Sequence, residues 1–213
     1  MSRALIFVNS HLENTGAARS LAQPDDIIIA ADGGARIALA LGLIPSAILG
    51  DFDSLTEAET NVFTDMGVHM LRFPPAKDET DLELALTHAL RAGHRPIRII
   101  GGYGGRLDQS IANLALLTAP DAIEADVRLD DGVTEAFFIT ETGVMHGHAG
   151  ETVSLIPWGA PVEGITTDGL AYPLNRETLR PHRTRGISNQ MLGETAKIRI
   201  KRGLLLCVHQ RKL

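Results

Sequence analysis

The first 130 residues alternate short runs of aliphatic and β-branched residues with longer stretches whose apolar positions recur at helical spacing. That alternation predicts a parallel sheet connected by crossover helices. The runs fall at 4–8, 27–31, 47–49, 69–73, 97–100 and 125–129. Between them, residues 78–92 place Leu82, Ala85, Leu86, Ala89 and Leu90 on one helical face, and residues 106–118 do the same with Ile111, Leu114 and Ala115. Both stretches read as amphipathic helices packed on the sheet. Helical spacing stops near residue 120. Beyond it, runs at 134–140, 143–146, 152–156, 162–166, 196–201 and 204–209 are separated by Gly, Pro and Asp turns, the pattern of an all-β domain built as a sandwich. The expected fold class is α/β, with a parallel-sheet α/β/α domain over residues 1–125 followed by a β-sandwich over 126–213, the boundary lying between Asp121 and Gly132.

Composition narrows the classes. A chain of 213 residues suits one large or two small domains with a core that needs no staples. Hydrophobic residues at 44% and charged residues at 22% match globular usage, and no apolar stretch approaches the roughly 18 residues of a membrane span. A net charge of −6 makes the chain a poor general binder of nucleic acid. An anionic substrate therefore has to be met locally, by backbone amides, a few Lys or Arg, or a metal. The single Cys207 permits no internal disulfide or cysteine-rich zinc site, and the five apolar residues at 4–8 stop at Asn9 and Ser10, too few for a signal peptide. The expected compartment is the cytoplasm.

Four segments of the first half, each following a predicted strand, carry Asp, Gly or both: Asp32-Gly33-Gly34, Gly50-Asp51-Phe52-Asp53-Ser54, Lys77-Asp78-Glu79-Thr80-Asp81, and the stretch from Gly101 to Asp108. In an open, Rossmann-like parallel sheet such loops gather at the carboxyl edge, where ligands bind. One acidic cleft is the economical reading. Asp51 and Asp53 repel each other unless a cation lies between them, and Mg²⁺ suits, because it takes oxygen ligands and bridges carboxylates to phosphates. The alternative is that Asp51 caps a turn and Asp53 the following helix. Asp78, Asp81 and Asp108 each have a comparable structural reading, as a helix cap or as first-turn acids favoured by the helix dipole. Lys77 stands where it can face a phosphate. Gly101, Gly102, Gly104 and Gly105 lie between a strand and a helix and let backbone amides approach an anion. The spacing matches neither a dinucleotide fingerprint nor a Walker loop, and a tight packing turn is the other reading. Arg106 adds a donor fork. Carboxylates, a glycine cradle and Lys/Arg together are what phosphoryl-type transfer requires.

With these residues assembled, the chain resembles the thiamine pyrophosphokinase family over nearly its whole length. The resemblance rests on Ala31-Asp32-Gly33-Gly34-Ala35, the 50–54 segment, Lys77-Asp78-x-Thr80-Asp81, Gly104-Gly105-Arg106-Leu107-Asp108, Thr167-x-Gly169-Leu170-x-Tyr172-Pro173-Leu174 and Gly186-Ile187-Ser188-Asn189, in that order. It implies transfer of the β,γ-diphosphate of ATP to the hydroxyl of thiamine with release of AMP, by a homodimer of α/β and β-sandwich domains. By position, Asp51, Asp53 and Asp81 would hold Mg²⁺, and Asp108 would complete the acidic set near the reacting hydroxyl as first candidate for a base. Gly33, Gly34, Lys77, Gly102, Gly104, Gly105 and Arg106 would hold the nucleotide, with Asp32 close to it. Ser188 and Asn189 would bind thiamine across the dimer interface. Gln109 and Gln190 depart from the family, which often carries His and Glu there. A pterin-like acceptor, a Mg²⁺-dependent hydrolase and a non-catalytic nucleotide-binding dimer are the competing readings.

Other features read as structural: His146-Gly147-His148 as surface histidines rather than a metal pair, Trp158 as core or interface, Cys207 as a buried hydrophobe, and the basic stretch Arg176, Arg180, His182, Arg183, Arg185 as a solvated loop.

Overall fold

A computed structural model of the chain describes residues 2–212. The fold is mixed α/β and divides after Gly132 into two compact units. The elements of the first unit are β1 (Ala4–Val8), α1 (Thr15–Ser20), β2 (Ile27–Ala31), α2 (Gly34–Ala40), β3 (Ala47–Gly50), α3 (Glu57–Asp65), β4 (His69–Arg72), α4 (Asp81–Arg91), β5 (Ile97–Ile100), α5 (Leu107–Leu116), α6 (Pro120–Glu124) and β6 (Val127–Asp130). The six strands are parallel in the order β4-β3-β2-β1-β5-β6.

Chain direction across the sheet reverses once, after β4, and right-handed crossovers then put α1–α3 on one face and α4–α6 on the other. Leu5 and Phe7, Ile28 and Ala30, and Ile48 bury the first face with Ala18, Ala35, Ala38 and Phe63 of the helices. Their neighbours Ala4, Ile6, Ile29, Ala47 and Leu49 are buried as well, as in a sheet covered on both sides. The reversal also opens a crevice between the carboxyl ends of β1 and β5.

The strand runs expected at 4–8, 27–31 and 97–100 are the strands observed. The burial expected of α4 also holds, for Leu82, Ala85, Leu86 and Ala89. Two expectations are corrected. On α5, Ile111 and Ala115 face solvent while Asn113 is buried. The cause is the Asn113 amide, which donates to Gly102 O at 2.7 Å and turns its own face, rather than the most apolar one, onto the glycine loop. The division falls after Gly132 rather than at 125, because β6 pairs in parallel register with β5. Helices α1, α2, α3 and α6 are too short for periodicity to single out.

The second unit holds β7 (Thr134–Ile139), β8 (Thr142–His146), β9 (Thr152–Pro157), β10 (Val162–Asp168), β11 (Glu177–Leu179), β12 (Asn189–Gln190), β13 (Thr195–Arg199) and β14 (Leu205–Gln210). Antiparallel β12-β9-β14-β7 and β11-β10-β13-β8 share one core. Phe137, Val153, Leu155 and Leu205 from the first set meet Met145, Ile165, Leu179 and Ile198 from the second, as in a sandwich. Cys207 is buried in that core. No helix among the described residues is long and apolar enough to cross a membrane.

A charged pair lies among the buried polar residues of this unit. His209 on β14 is fully buried, and its Nε2 lies 2.7 Å from Glu151 Oε2. Burial works against the Glu151 charge, but hydrogen bonds from the His148 and Lys212 backbone and from His209 outweigh it and hold the carboxyl below its ordinary value of 4.5. A carboxyl lowered in the folded state contributes stability above its unfolded-chain pKa, and that contribution is lost as pH falls through the folded value. Glu151→Gln is therefore expected to be less stable than the parent at pH 7 by about 1–3 kcal/mol, with the gap closing below about pH 4. Urea unfolding across pH reads this directly, and a pH-independent gap rejects it.

Candidate active site

The acidic residues converge because glycines remove what would keep them apart. A Cβ on Gly34 would lie 2.1 Å from Phe7 O, so α2 starts flush against β1 only with glycine there. A Cβ on Gly50 would lie 3.0 Å from Asp32 Cβ and 3.2 Å from the Asp81 carboxylate. Asp32, directly after β2, has φ 44°, and Phe52 has φ 64°. Left-handed backbone costs a non-glycine residue roughly 1–2 kcal/mol. Phe52 offsets this by burying its ring with Ile48, Leu55 and Phe63, while on either side Asp51 is half-buried and Asp53 exposed. Arg72 steadies the loop, donating to Asp51 O at 3.0 Å with its guanidinium 4.7 Å over the Phe52 ring.

One carboxylate oxygen from each of Asp32, Asp51 and Asp53 lies within 4.8 Å of the others. Asp32 is only 4% exposed, and its Oδ1 is buried with no hydrogen-bond partner among the described residues. The capping readings fall away for two of the acids. Thr56 caps α3 in a capping box with Glu59, and Thr80 caps α4 by accepting from Glu83 N–H. Asp53 and Asp78 are therefore not caps, while Asp51 does accept the Asp53 N–H at 3.1 Å. Asp81, the first residue of α4, takes the Lys77 ammonium at 3.0 Å, with Asp51 at 3.8 Å from the same nitrogen. Burial raises the Asp81 pKa, Lys77 opposes it, and Asp32 and Asp51 add to the rise. For Lys77, burial disfavours the charge, but Asp81, Asp51 and Asp32 together hold its pKa above the ordinary value. Asp32, Asp53, Lys77 and Asp81 line a cavity of about 380 Å³ with Gln109 and Asn113.

The glycine loop lines a second cavity, of about 260 Å³, with Asn9, Ser10, His11 and Arg106. Val8, Asn9, Gln109 and Asn113 line both, so the two are neighbours. Gly104 and Gly105 have φ 94° and 64° with open space where a Cβ would stand, so backbone conformation alone requires glycine at these two positions. Gly104 N–H donates to Ser110 Oγ at 3.1 Å. Arg106 and Asp108, both mostly exposed, pair with each other through two bonds of 3.1 and 2.5 Å. Asp108 lies outside the carboxylate group and lines neither cavity, whereas Gln109 and Asn113 of α5 line both. Of the expected acids, Asp51 and Asp53 are grouped with Asp32, Asp81 is joined to Asp51 through Lys77, and Asp108 stands apart at the surface. Asn9, Ser10 and His11 escaped the sequence reading because their loop carries neither Asp nor Gly. Their position directly after the first strand was the available signal.

In the second unit, Ser188 has φ 57° and its N–H donates to Ser154 Oγ at 3.1 Å. Asn189 is buried, accepting from the Tyr172 and Gln190 N–H at 2.9 Å and donating to Tyr172 O at 2.7 Å. It ties the 169–174 and 186–189 segments together. A cavity of about 480 Å³ lies over them, lined by Tyr172, Leu174, Arg185, Ile187 and Ser188, with Tyr172 68% exposed. Arg185 is forked onto Glu177. Trp158 packs edge-on against Phe138 at 5.3 Å. In His146-Gly147-His148, a Cβ on Gly147 would lie 2.0 Å from Glu151 Oε2 and 2.8 Å from the His209 ring. That glycine serves the buried His209–Glu151 pair.

Family models for the thiamin pyrophosphokinase catalytic domain and for the thiamin pyrophosphokinase vitamin B1 binding domain match residues 18–129 and 141–205. Thiamine pyrophosphokinase of Bacillus subtilis (strain 168) is 30% identical over 182 residues, covering 84% of this chain and 85% of that protein. Thiamine pyrophosphokinase 1 of Oryza sativa subsp. japonica is 26% identical over 72% of this chain and 62% of its own length. The crystal structure of the Bacillus subtilis protein superposes with a TM-score of 0.88 at 26% identity over the full length of both chains. Thiamin pyrophosphokinase from Candida albicans shares the fold, with a TM-score of 0.76 at 16% identity over 99% of this chain and 89% of that one.

The two kinds of glycine separate experimentally. Gly34→Ala is expected to cost more than about 3 kcal/mol, since its methyl meets backbone that cannot yield. Gly104→Ala, strained only in φ, is expected to cost about 1 kcal/mol. Denaturant unfolding of both variants checks the order, and equal losses reject it.

Proposed function

The chain belongs to the thiamine pyrophosphokinase family, and we propose that it is a thiamine diphosphokinase whose reaction centre is the Asp32–Asp51–Asp53 cluster with Lys77 and Asp81. The carrying observation is the approach of three carboxylate oxygens to within 4.8 Å around a buried, unpartnered Asp32 oxygen. Like charges at that spacing suit a divalent, oxygen-seeking cation. Asp32, Asp51 and Asp53 would hold Mg²⁺, with Asp81 in reserve beside Lys77. When bound, the ion supplies neutralisation of the phosphate charge.

The rest of the work falls to side chains and amides. In this reading the β- and γ-phosphates of ATP lie at the acidic end, in reach of the Lys77 ammonium. The adenosine and α-phosphate lie toward the glycine loop, where the amides of Gly104 and Gly105 and the Arg106 fork donate. The thiamine hydroxyl oxygen forms a bond to the β-phosphorus, the bridge oxygen to the α-phosphorus leaves with AMP, and the hydroxyl proton is released. Such transition states are loose, so in-line placement matters more than a strong base. The Arg106 hydrogen bond holds the Asp108 carboxyl below its ordinary range, and in this reading Asp108 positions Arg106 through that pair. Ser188, with Tyr172 beside it, would receive the thiamine ring, while Asn189 shapes that surface from beneath. A cytoplasmic homodimer completes the reading.

Purified protein with Mg-ATP, with and without thiamine, is expected to form AMP and thiamine diphosphate in equal amounts only when thiamine is present. ADP with thiamine monophosphate, or AMP formed without acceptor, overturns the assignment. Asp53→Asn is expected to lower turnover at least about 100-fold with an unchanged unfolding transition. Full activity in that variant rejects the cation site.

A further inference from the structure

Lys77 is an unusual neighbour for a cation site. Its side chain is 12% exposed, and its nitrogen sits 3.0 Å from Asp81 Oδ1 and 3.8 Å from Asp51 Oδ2. Asp51 is also one of the three grouped carboxylates. The ammonium and a divalent ion therefore draw on one carboxylate in common, that of Asp51. The two acids come from different parts of the chain, one from the loop after β3 and the other from the first residue of α4, and Lys77 cross-links them. By contrast Arg106 is exposed and paired with Asp108, two residues along the chain. A lysine ammonium is a compact charge on a flexible stem, so it can leave two carboxylates by side-chain rotation alone.

We propose that Lys77 is an internal counter-ion of the acidic cluster, occupying it in place of a divalent cation and exchanging Asp51 and Asp81 for phosphate oxygens when a nucleotide arrives. The inference rests on the cation and nucleotide reading above. It adds an order of events set by charge. Metal alone competes with Lys77 and binds weakly, whereas a nucleotide draws the ammonium away and frees the two acids. Metal and nucleotide then assist each other's binding, and linkage makes the assistance mutual. Asp32, which the ammonium does not contact, keeps a buried oxygen with no hydrogen-bond partner among the described residues, and Asp81 Oδ1 has the ammonium as its ion-pair partner but no hydrogen bond.

The test is binding of Mn²⁺ to the full chain by calorimetry, without thiamine, in the parent and in Lys77→Met. Without nucleotide, the variant is expected to bind Mn²⁺ about tenfold tighter, because a competing charge a few ångströms away is gone. With a saturating non-hydrolysable ATP analogue, Mn²⁺ affinity rises in both proteins through direct phosphate ligation, and by about tenfold more in the parent, where the nucleotide also displaces Lys77. Lys77→Arg, which keeps the charge, is expected to retain weak Mn²⁺ binding. Where Lys77→Met does not fold without metal, Lys77→Gln is measured with the same expectation. Unfolding with and without Mn²⁺ supplies a second readout, and the metal is expected to raise Tm more in the variant than in the parent. Unchanged or weaker Mn²⁺ binding in the charge-removed variant overturns the proposal, as does coupling to the nucleotide that is as large without Lys77 as with it. Absence of thiamine-dependent AMP formation sinks the catalytic reading and leaves this comparison interpretable, because no acceptor enters it.

Discussion

Carboxylates do not gather without cost, and the repulsion among Asp32, Asp51, Asp53 and Asp81 is the constraint around which the first unit is arranged. Near a protein surface, two unit charges about 5 Å apart repel by on the order of 3 kcal/mol. Folding brings these acids together from three separate crossovers, so the rest of the fold has to hold them. Glycine at 34 and 50 removes side chains that would spread the loops apart. Phe52 anchors its loop in the core despite an unfavourable φ. Thr56 and Thr80 cap the following helices, so neither Asp53 nor Asp78 is taken up as a helix cap. Each is a small concession in local stability, and together they fix charge where solvent would otherwise dilute it.

Topology decides what the charge faces. Because strand order turns back at β1, the loops after β1 and β5 flank a crevice, and the loops after β2, β3 and β4 follow on one side of it. The acidic cavity and the glycine-loop cavity thus become neighbours, sharing Asn9, Gln109 and Asn113. A ligand with a charged end and a neutral end is suited to such a pair. Asn113 links them mechanically, since its hydrogen bond to Gly102 O fixes the glycine loop to the helix that carries Gln109.

What the sequence made legible follows from the range of the interactions concerned. Parallel strands buried on both faces appear as continuous aliphatic runs, so β1, β2 and β5 could be delimited residue by residue. The acidic and glycine loops were equally legible, since unusual residues at strand ends are local facts. The face of α5 was not, because a single long-range hydrogen bond from Asn113 overrides its apolar spacing. Nor was the membership of the acidic cluster. Asp108 lies in the right motif, yet Arg106 two residues earlier holds it at the surface, while Asp32 reaches the cluster through a left-handed turn that no periodicity reports. Asn189 was identified in the right segment, but its amide is spent on Tyr172 and Gln190.

The two units treat buried charge in opposite ways, and the contrast locates function. In the sandwich, Glu151 meets His209 and backbone amides of its own unit, Gly147 is kept small to admit the pair, and the Glu151 carboxylate is compensated within the fold, although His209 Nδ1 has no hydrogen-bond partner among the described residues. A group satisfied in this way adds to stability and offers nothing to a ligand. In the first unit, Asp32 is buried to nearly the same degree, but one of its oxygens has no hydrogen-bond partner among the described residues, and its neighbours carry the same sign of charge. Folding alone gives no reason to keep such an arrangement, since an apolar residue of similar size would cost less. The unmatched charge is useful only if something outside the chain completes it. The Asp32 edge of the sheet is accordingly where binding energy, rather than packing, closes the structure.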